Sequence, residues 1–400
     1  MDDGDTSDDV PSIRSDHSII LDLPPSCIEF SPLHSESFVV GTYYLETESG
    51  TSHTTSIQQN DDQIKSSVQN RRGSLMLFVL QDQNLTLFDA VDVPFAVLDL
   101  HFTRCRKGVF AIATSKGTVC LCTININGTG PIETLNSYQI FSDSSLTLSL
   151  AWNRVLSHSD TIAASSSDGR VAIFDTKYQP PMTYTKTEAH SFEAWTLAWT
   201  SKGAELYSGG DGSELCRHDL SVRPVGGSLN DGNVPSHRYE FEASVRDTKT
   251  HEAGVTAILP LQPVFHGERV LLTGSYDEYV RVLLPVEGGN RPKVLAEKRL
   301  GGGVWRLQIL DFREGISPAY KILASCMHAG ARILEVRRTE GGKWLINVLA
   351  KFVEHESMNY ASDGCCIYVG GRVEGFTVVS TSFYDKKLCV WKTETYRQGE

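Results

Sequence analysis

The chain has 400 residues, 40% hydrophobic and 9% aromatic, the composition of a folded soluble protein larger than one ordinary core. Its 49 acidic and 37 basic residues leave a formal net charge of −12, which argues against nucleic acid as the main partner and favours basic protein surfaces. No apolar run reaches the ~18 residues that span a bilayer. Nine cysteines, an odd number without zinc-like spacing, read as reduced core residues; neither a metal nor another cofactor is expected.

The opening MDDGDTSDDV is acidic where a signal or transit peptide is basic, and a cytoplasmic location is expected. Residues 1–16, with six Asp, read as a disordered tail, and 17–396 as one folded domain. Ser18 to Leu23 reads as an isolated strand. A first unit of four strands follows, at Cys27 to Ser31, Ser37 to Tyr43, Leu75 to Leu80 and Leu85 to Phe88. It is interrupted by a polar insertion at about 46–72. A second unit has Ala96 to Phe102, Val109 to Thr114, Val119 to Ile124 and Thr134 to Ile140. A third has Thr147 to Trp152, Ile162 to Ser166 and Val171 to Asp175 around a Ser167-Asp168-Gly169 turn.

The fourth unit states the plan most fully. His190 precedes a strand whose residues alternate, Ala194, Thr196 and Ala198 against Trp195, Leu197 and Trp199. The turn at Gly209 to Gly212 follows a second strand, and the third ends at His218-Asp219, where repeats of this kind carry Trp-Asp. A second polar insertion at about 221–249 holds an outer strand near Arg238 to Phe241. The fifth unit runs from His251 to Lys298, the sixth from GGGVWR to WLINVLAKF, and the seventh from His355 to Trp391. The seventh lacks an outer strand, which Ser18 to Leu23 supplies. The expected fold is all-β, a seven-bladed WD-repeat β-propeller closed by an N-terminal strand.

His251, Ser275 and Asp277 fit the buried polar network of such repeats, so a structural reading is preferred to a catalytic triad; His190 is read the same way. Departures from the plan carry the functional signal. His328 stands where other hairpins have Asp, and Gly301 to Gly303 stand where other units open with His, so His328 is a candidate general base at the channel rim. The seventh opening crowds His355, Glu356, Ser357, Tyr360 and Asp363 onto the same rim.

The stretches GTYYLE, AHSFEAW, YSGGDG, TGSYDE, GGGVWR and ASCMHAGARIL, in this order, resemble the diphthine methyl ester hydrolases, WD-repeat proteins of diphthamide biosynthesis also called diphthine methyltransferases. The resemblance implies hydrolysis of a methyl ester on a modified His of translation elongation factor 2, giving diphthine and methanol, with that factor as protein substrate. The substrate's quaternary ammonium suits aromatic faces. Trp195, Tyr276, Trp305 and Tyr360, with Glu193 and Glu278 adding negative potential, are the expected substrate contacts. Catalysis is expected from His328 or His355 assisting water, with Glu356 next and Ser357 or Cys326 as nucleophile in a variant mechanism. No G-x-S-x-G elbow is present, and the glycines at 301–303 precede a strand, not the helix of a dinucleotide fold. The alternative is a non-catalytic WD-repeat scaffold. A monomer without direct nucleic-acid or membrane contact is expected.

Overall fold

The computed structural model describes residues 10–46, 69–81, 84–124, 131–178, 180–181, 183–224, 237–265, 268–286, 288 and 291–395. They form a seven-bladed β-propeller, with one short 3-10 turn at Leu156–His158 as the only helical element among them. Blade 1 comprises Pro25–Ser31, His34–Thr42, Arg71–Gln81 and Asn84–Val93. Blade 2 comprises Val97–Phe102, Val109–Thr114, Thr118–Thr123 and Glu133–Gln139, and blade 3 Thr147–Trp152, Thr161–Ser166, Val171–Asp175 and Thr183–Lys186. Blade 4 has Ala194–Trp199, Glu205–Gly210, Glu214–Pro224 and His237–Asp247. Blade 5 has Val255–Phe265, Glu268–Ser275, Tyr279–Leu284 and Lys293–Arg299. Blade 6 has Arg306–Arg313, Ala319–Ser325, Ala331–Arg338 and Trp344–Phe352, and blade 7 has Ala361–Val369, Arg372–Ser382 and Lys387–Glu394. None of the described helices is long and apolar enough to cross a membrane.

The second strand of each blade lies between neighbours on both faces, which is why VFAIAT and TIAASS read as unbroken small or apolar runs and are buried throughout. Blades then cement to one another. Leu272 and Val282 of blade 5 pack with Val304, Ile322, Leu334 and Trp344 of blade 6. Each such side chain contributes about 1.5–3 kcal/mol.

The N-terminal strand closes the ring, but three residues earlier than expected. Ser15–Ile20 pairs antiparallel with Lys387–Glu394, and Ser12–Ile13 adds in parallel to the outer strand of blade 6. Residues 10–16 therefore belong to the fold, and the expected tail is limited to residues outside those described. An outer strand needs only one apolar face: Ile19 joins Leu388 and Val390, while Ile20 is exposed. The polar letters SDHS hid the strand for that reason.

Of the first insertion, residues 47–68 lie outside the described residues; its ends extend the hairpin of blade 1, with Tyr44–Leu45 pairing Arg71 and Arg72. The second is mostly strand, since Glu214–Pro224 and His237–Asp247 form one long ladder, and only 225–236 fall outside.

In every blade the start of the first strand pairs with the end of the second, as in Ala194 with Gly210 and Val255 with Ser275. The entry loops and the hairpins between second and third strands therefore emerge on one face, here called the upper face.

Candidate active site

Four consecutive blades bring aromatic residues to the centre of the upper face. Thr196, Arg306 and Ala361 hold equivalent register positions, opposite Gly209, Ser325 and Thr381. The residues just before them are Trp195, Trp305 and Tyr360. Trp305 is the hub, its ring centroid 5.5 Å from Trp195, 5.9 Å from Tyr276 and 5.0 Å from Tyr360. Tyr360 continues the chain to Phe383 at 5.5 Å. Two glycines make room for Tyr276: a Cβ on Gly254 would stand 2.9 Å from its ring, and one on Gly303 would stand 2.8 Å from Met327 Sδ and 3.4 Å from the Tyr276 ring.

Carboxylates stand beside these rings. Trp195 Nε1 donates to Asp211 Oδ1 at 3.0 Å. Burial, then the negative fields of Tyr360, Asp211 and Glu193, raises the Tyr276 hydroxyl pKa. Asp211 is free for this because Glu214 has taken the network role in blade 4, contacting His190 Nδ1 at 3.1 Å and accepting from the Ser191 amide at 2.9 Å. Glu278 is placed differently from expectation. It has a left-handed backbone (φ 71°) and accepts from Arg299 Nε at 2.8 Å on the outer strand, away from the rings.

The polar networks of the blades are structural. In blade 5 the partner of His251 Nε2 is Thr273 Oγ1 at 2.9 Å, not Ser275, which instead donates to the Ala253 carbonyl. In blade 4, Ser208 joins His190 at 2.7 Å and His218 at 2.8 Å, so His218 fills the Trp role. Blade 7 keeps the Trp: Ser380 contacts His355 Nε2 at 2.8 Å and accepts from Trp391 Nε1 at 2.9 Å. His355 is therefore buried inside its blade and not at the rim, and burial lowers its pKa to about 4. Glu356 is exposed, and Ser357 accepts from the Tyr384 amide at 3.2 Å.

Blade 6 breaks the pattern at each point. The ladders align Thr273 with Ala324 and Asp277 with His328, and the entry loops align His251 with Leu300. Leu300 and Ala324 are buried in the apolar cluster shared with blade 5. His328 is exposed on the upper face in the turn Cys326 to Gly330, next to Met327, which is held at φ 45° and bridges to Asn359 of blade 7. Cys326 is fully buried and its thiol is pushed up to about 12 by burial, which disfavours the thiolate that a nucleophile needs.

A second charged set, missed in the sequence, lines the ring below the aromatic hub. Arg306 reaches from blade 6 to Asp99 of blade 2 at 2.6 Å, and His101 Nδ1 contacts Glu29 at 2.6 Å. Burial opposes charge on Asp99 and His101. Arg306 nevertheless holds the Asp99 carboxyl well below its usual range, and the carboxylates raise His101 to about 10. Asp363, expected at the rim, lies in the innermost strand of blade 7 instead. It accepts from the Phe30 amide at 2.6 Å and is raised to about 8 by burial and by Glu29. The available signal was the alternation in VLDLHF, which puts Asp99 and His101 on one side of a strand. Among the described residues no group of three His, Cys, Asp or Glu could hold a metal.

No protein-family model matches the chain. It is similar to the diphthine methyltransferase of Schizosaccharomyces pombe, 28% identical over 375 residues that cover 93% of this chain and 95% of that one. It is also similar to the diphthine methyltransferase homolog of Dictyostelium discoideum, 25% identical over 394 residues covering 93% and 97%. The resemblance carried by the motifs thus extends over most of the length and supports the diphthamide biosynthesis family. Among solved structures, a chain of the mitotic checkpoint complex superposes with a TM-score of 0.61 at 12% identity, covering 96% of this chain and 93% of that one, a likeness of fold alone.

Proposed function

We propose that this protein acts in diphthamide biosynthesis as a carboxylic ester hydrolase, removing the methyl ester of diphthine methyl ester on translation elongation factor 2 to give diphthine and methanol. The similarity to proteins named diphthine methyltransferase supports the biosynthetic role. The aromatic cluster of Trp195, Tyr276, Trp305 and Tyr360, flanked by Glu193 and Asp211, is the observation that carries the substrate. A quaternary ammonium cannot donate a hydrogen bond. It is held by ring faces and a negative field, and both are present at this mouth.

In this reading His328 takes a proton from water as the oxygen attacks the ester carbonyl, and of the Cys326 to Gly330 turn only the Met327 and His328 amides are candidates to meet the developing oxyanion, because the other three donate within the turn. The imidazolium then returns the proton to the departing methoxide, leaving a carboxylic acid that ionises by losing its proton to solvent. Glu356 is the second candidate base, and Ser357 as nucleophile is the variant path. Hydrolysis is favoured over methyl transfer because Gly301 to Gly303 lead into the innermost strand of blade 6, without the helix that a nucleotide-type cofactor loop requires. The test is a mass measurement on methyl-esterified elongation factor 2 incubated with purified protein. Loss of one methylene mass with release of methanol supports hydrolysis. An unchanged mass with a stable complex supports a scaffold instead.

A further inference from the structure

The channel under the aromatic hub encloses about 460 Å³ and runs to the opposite face, where Arg104 and Arg154 line it. The two arginines follow the first strands of adjacent blades 2 and 3, two residues past Phe102 and Trp152. Their backbones are fixed. The Thr103 hydroxyl accepts from the Cys105 amide at 3.3 Å, and Asn153 accepts from the Val155 amide at 2.9 Å while donating to Tyr239 at 3.0 Å.

Charge along the channel wall is lopsided. Its lining includes Glu29, His101, Arg104, Arg154 and Arg306, with one carboxylate among them. Glu29 is engaged by His101, and Arg306 by Asp99 behind the wall. Among the described residues neither Arg104 nor Arg154 is ion-paired; partial desolvation at the channel wall, then the field of Arg104, lowers the Arg154 pKa, and Glu29 opposes this only in part. Two guanidinium groups that line one cavity without an ion-pair partner stand out in a chain of net charge −12. A dianion placed between them relieves the repulsion and satisfies both forks, whereas a single carboxylate neutralises only one.

We infer that the lower mouth of the channel is a binding site for a phosphate-type dianion, with Arg104 and Arg154 each giving a guanidinium fork to its oxygens. The ion comes either free or as a phosphomonoester. For a monoester the apolar group lies along Trp152 and Pro260, which line the same cavity.

The test is calorimetric titration of the full chain with inorganic phosphate, phenyl phosphate and acetate at fixed ionic strength. Saturable one-to-one binding of a phosphate, weakened about tenfold by Arg154→Gln and abolished by Arg104→Gln with Arg154→Gln, is expected. The exposed Arg372→Gln, on the same face in blade 7, should leave affinity unchanged. Tighter binding of inorganic phosphate identifies a free ion, and tighter binding of phenyl phosphate a monoester. The inference is overturned by no saturable binding, by equal binding of acetate, or by affinity retained in the double variant. Both arginines are exposed, so the variants should fold; melting curves check this, and phosphate should raise the melting temperature of the unaltered chain but not of the double variant.

Discussion

Blades 5 and 6 are neighbours with the same strand plan, and they solve the same packing problem in opposite ways. Blade 5 fills the space behind its upper hairpin with His251 and Thr273, and anchors the hairpin by Asp277, which pairs with Arg281 at 2.8 Å. Blade 6 has Leu300 and Ala324 in those places. Its Arg332, aligned with Arg281, donates to the Ala329 and Ala331 carbonyls instead of to a carboxylate. A buried polar pair and an apolar pair are nearly equal in stability when each is complete. What differs is the hairpin. Freed from the network, the blade 6 turn can carry an exposed His328 and a left-handed Met327. The same logic holds in blade 4, where Glu214 releases Asp211 to meet Trp195.

Substitutions can separate the two solutions. The largest effect is expected from His328→Asn, which should lower the hydrolytic rate by roughly 10² to 10⁴ without changing the melting temperature. Single-turnover kinetics on methyl-esterified elongation factor 2 check it, and full activity would move the base to Glu356. Next comes Trp305→Ala, expected to raise KM about thirtyfold, the worth of a cation on desolvated ring faces, with much of the loss restored by Trp305→Phe. In blade 5, Thr273→Val strands His251 and should cost about 1–3 kcal/mol in urea unfolding, with the rate per folded molecule unchanged. Adding His251→Leu copies blade 6 and should recover most of that loss. If the double variant is no more stable than the single one, the equivalence of the two solutions fails.

A further effect is in pH. Burial lowers His251 and His355 to about 4 from an ordinary 6.5. Between those values the unfolded chain binds more protons than the folded one, so stability falls as pH drops from 6.5 towards 4. Replacing His251 by Leu in the double variant should flatten this slope, as measured by denaturation midpoints across that range. Blade 6, with Leu300 at the His position, contributes nothing to it.

The propeller was legible because hairpin Gly and Asp recur between short runs with strand periodicity, and His328 stood out by breaking that recurrence. Other features carry no local signal. Thr273 and Ser275 lie two apart on one strand, so their letters cannot say which meets His251. Glu278 belongs to the right turn, but its left-handed backbone sends it outward. Asp99 and Arg306 join across the ring from distant parts of the chain, a contact that only closure creates. The start of the closing strand was lost because an outer strand can be polar on its exposed face.

That closing strand also sets an order of birth. Ser15–Ile20 leaves the ribosome before any of the seven blades, whereas its partner Lys387–Glu394 follows all the other blade strands. Blades 1 to 6 can pair locally as they emerge, since their strands are neighbours in sequence, but the clasp must wait until Lys387–Glu394 has emerged. Until then the ring is an open arc with two unsatisfied edges. The Asp99 to Arg306 crossbar cannot be drawn taut, and Tyr360 and Phe383 have yet to complete the mouth. The aromatic cluster of the upper face is thus assembled last, so a nascent or truncated chain carries most of its letters without its shape.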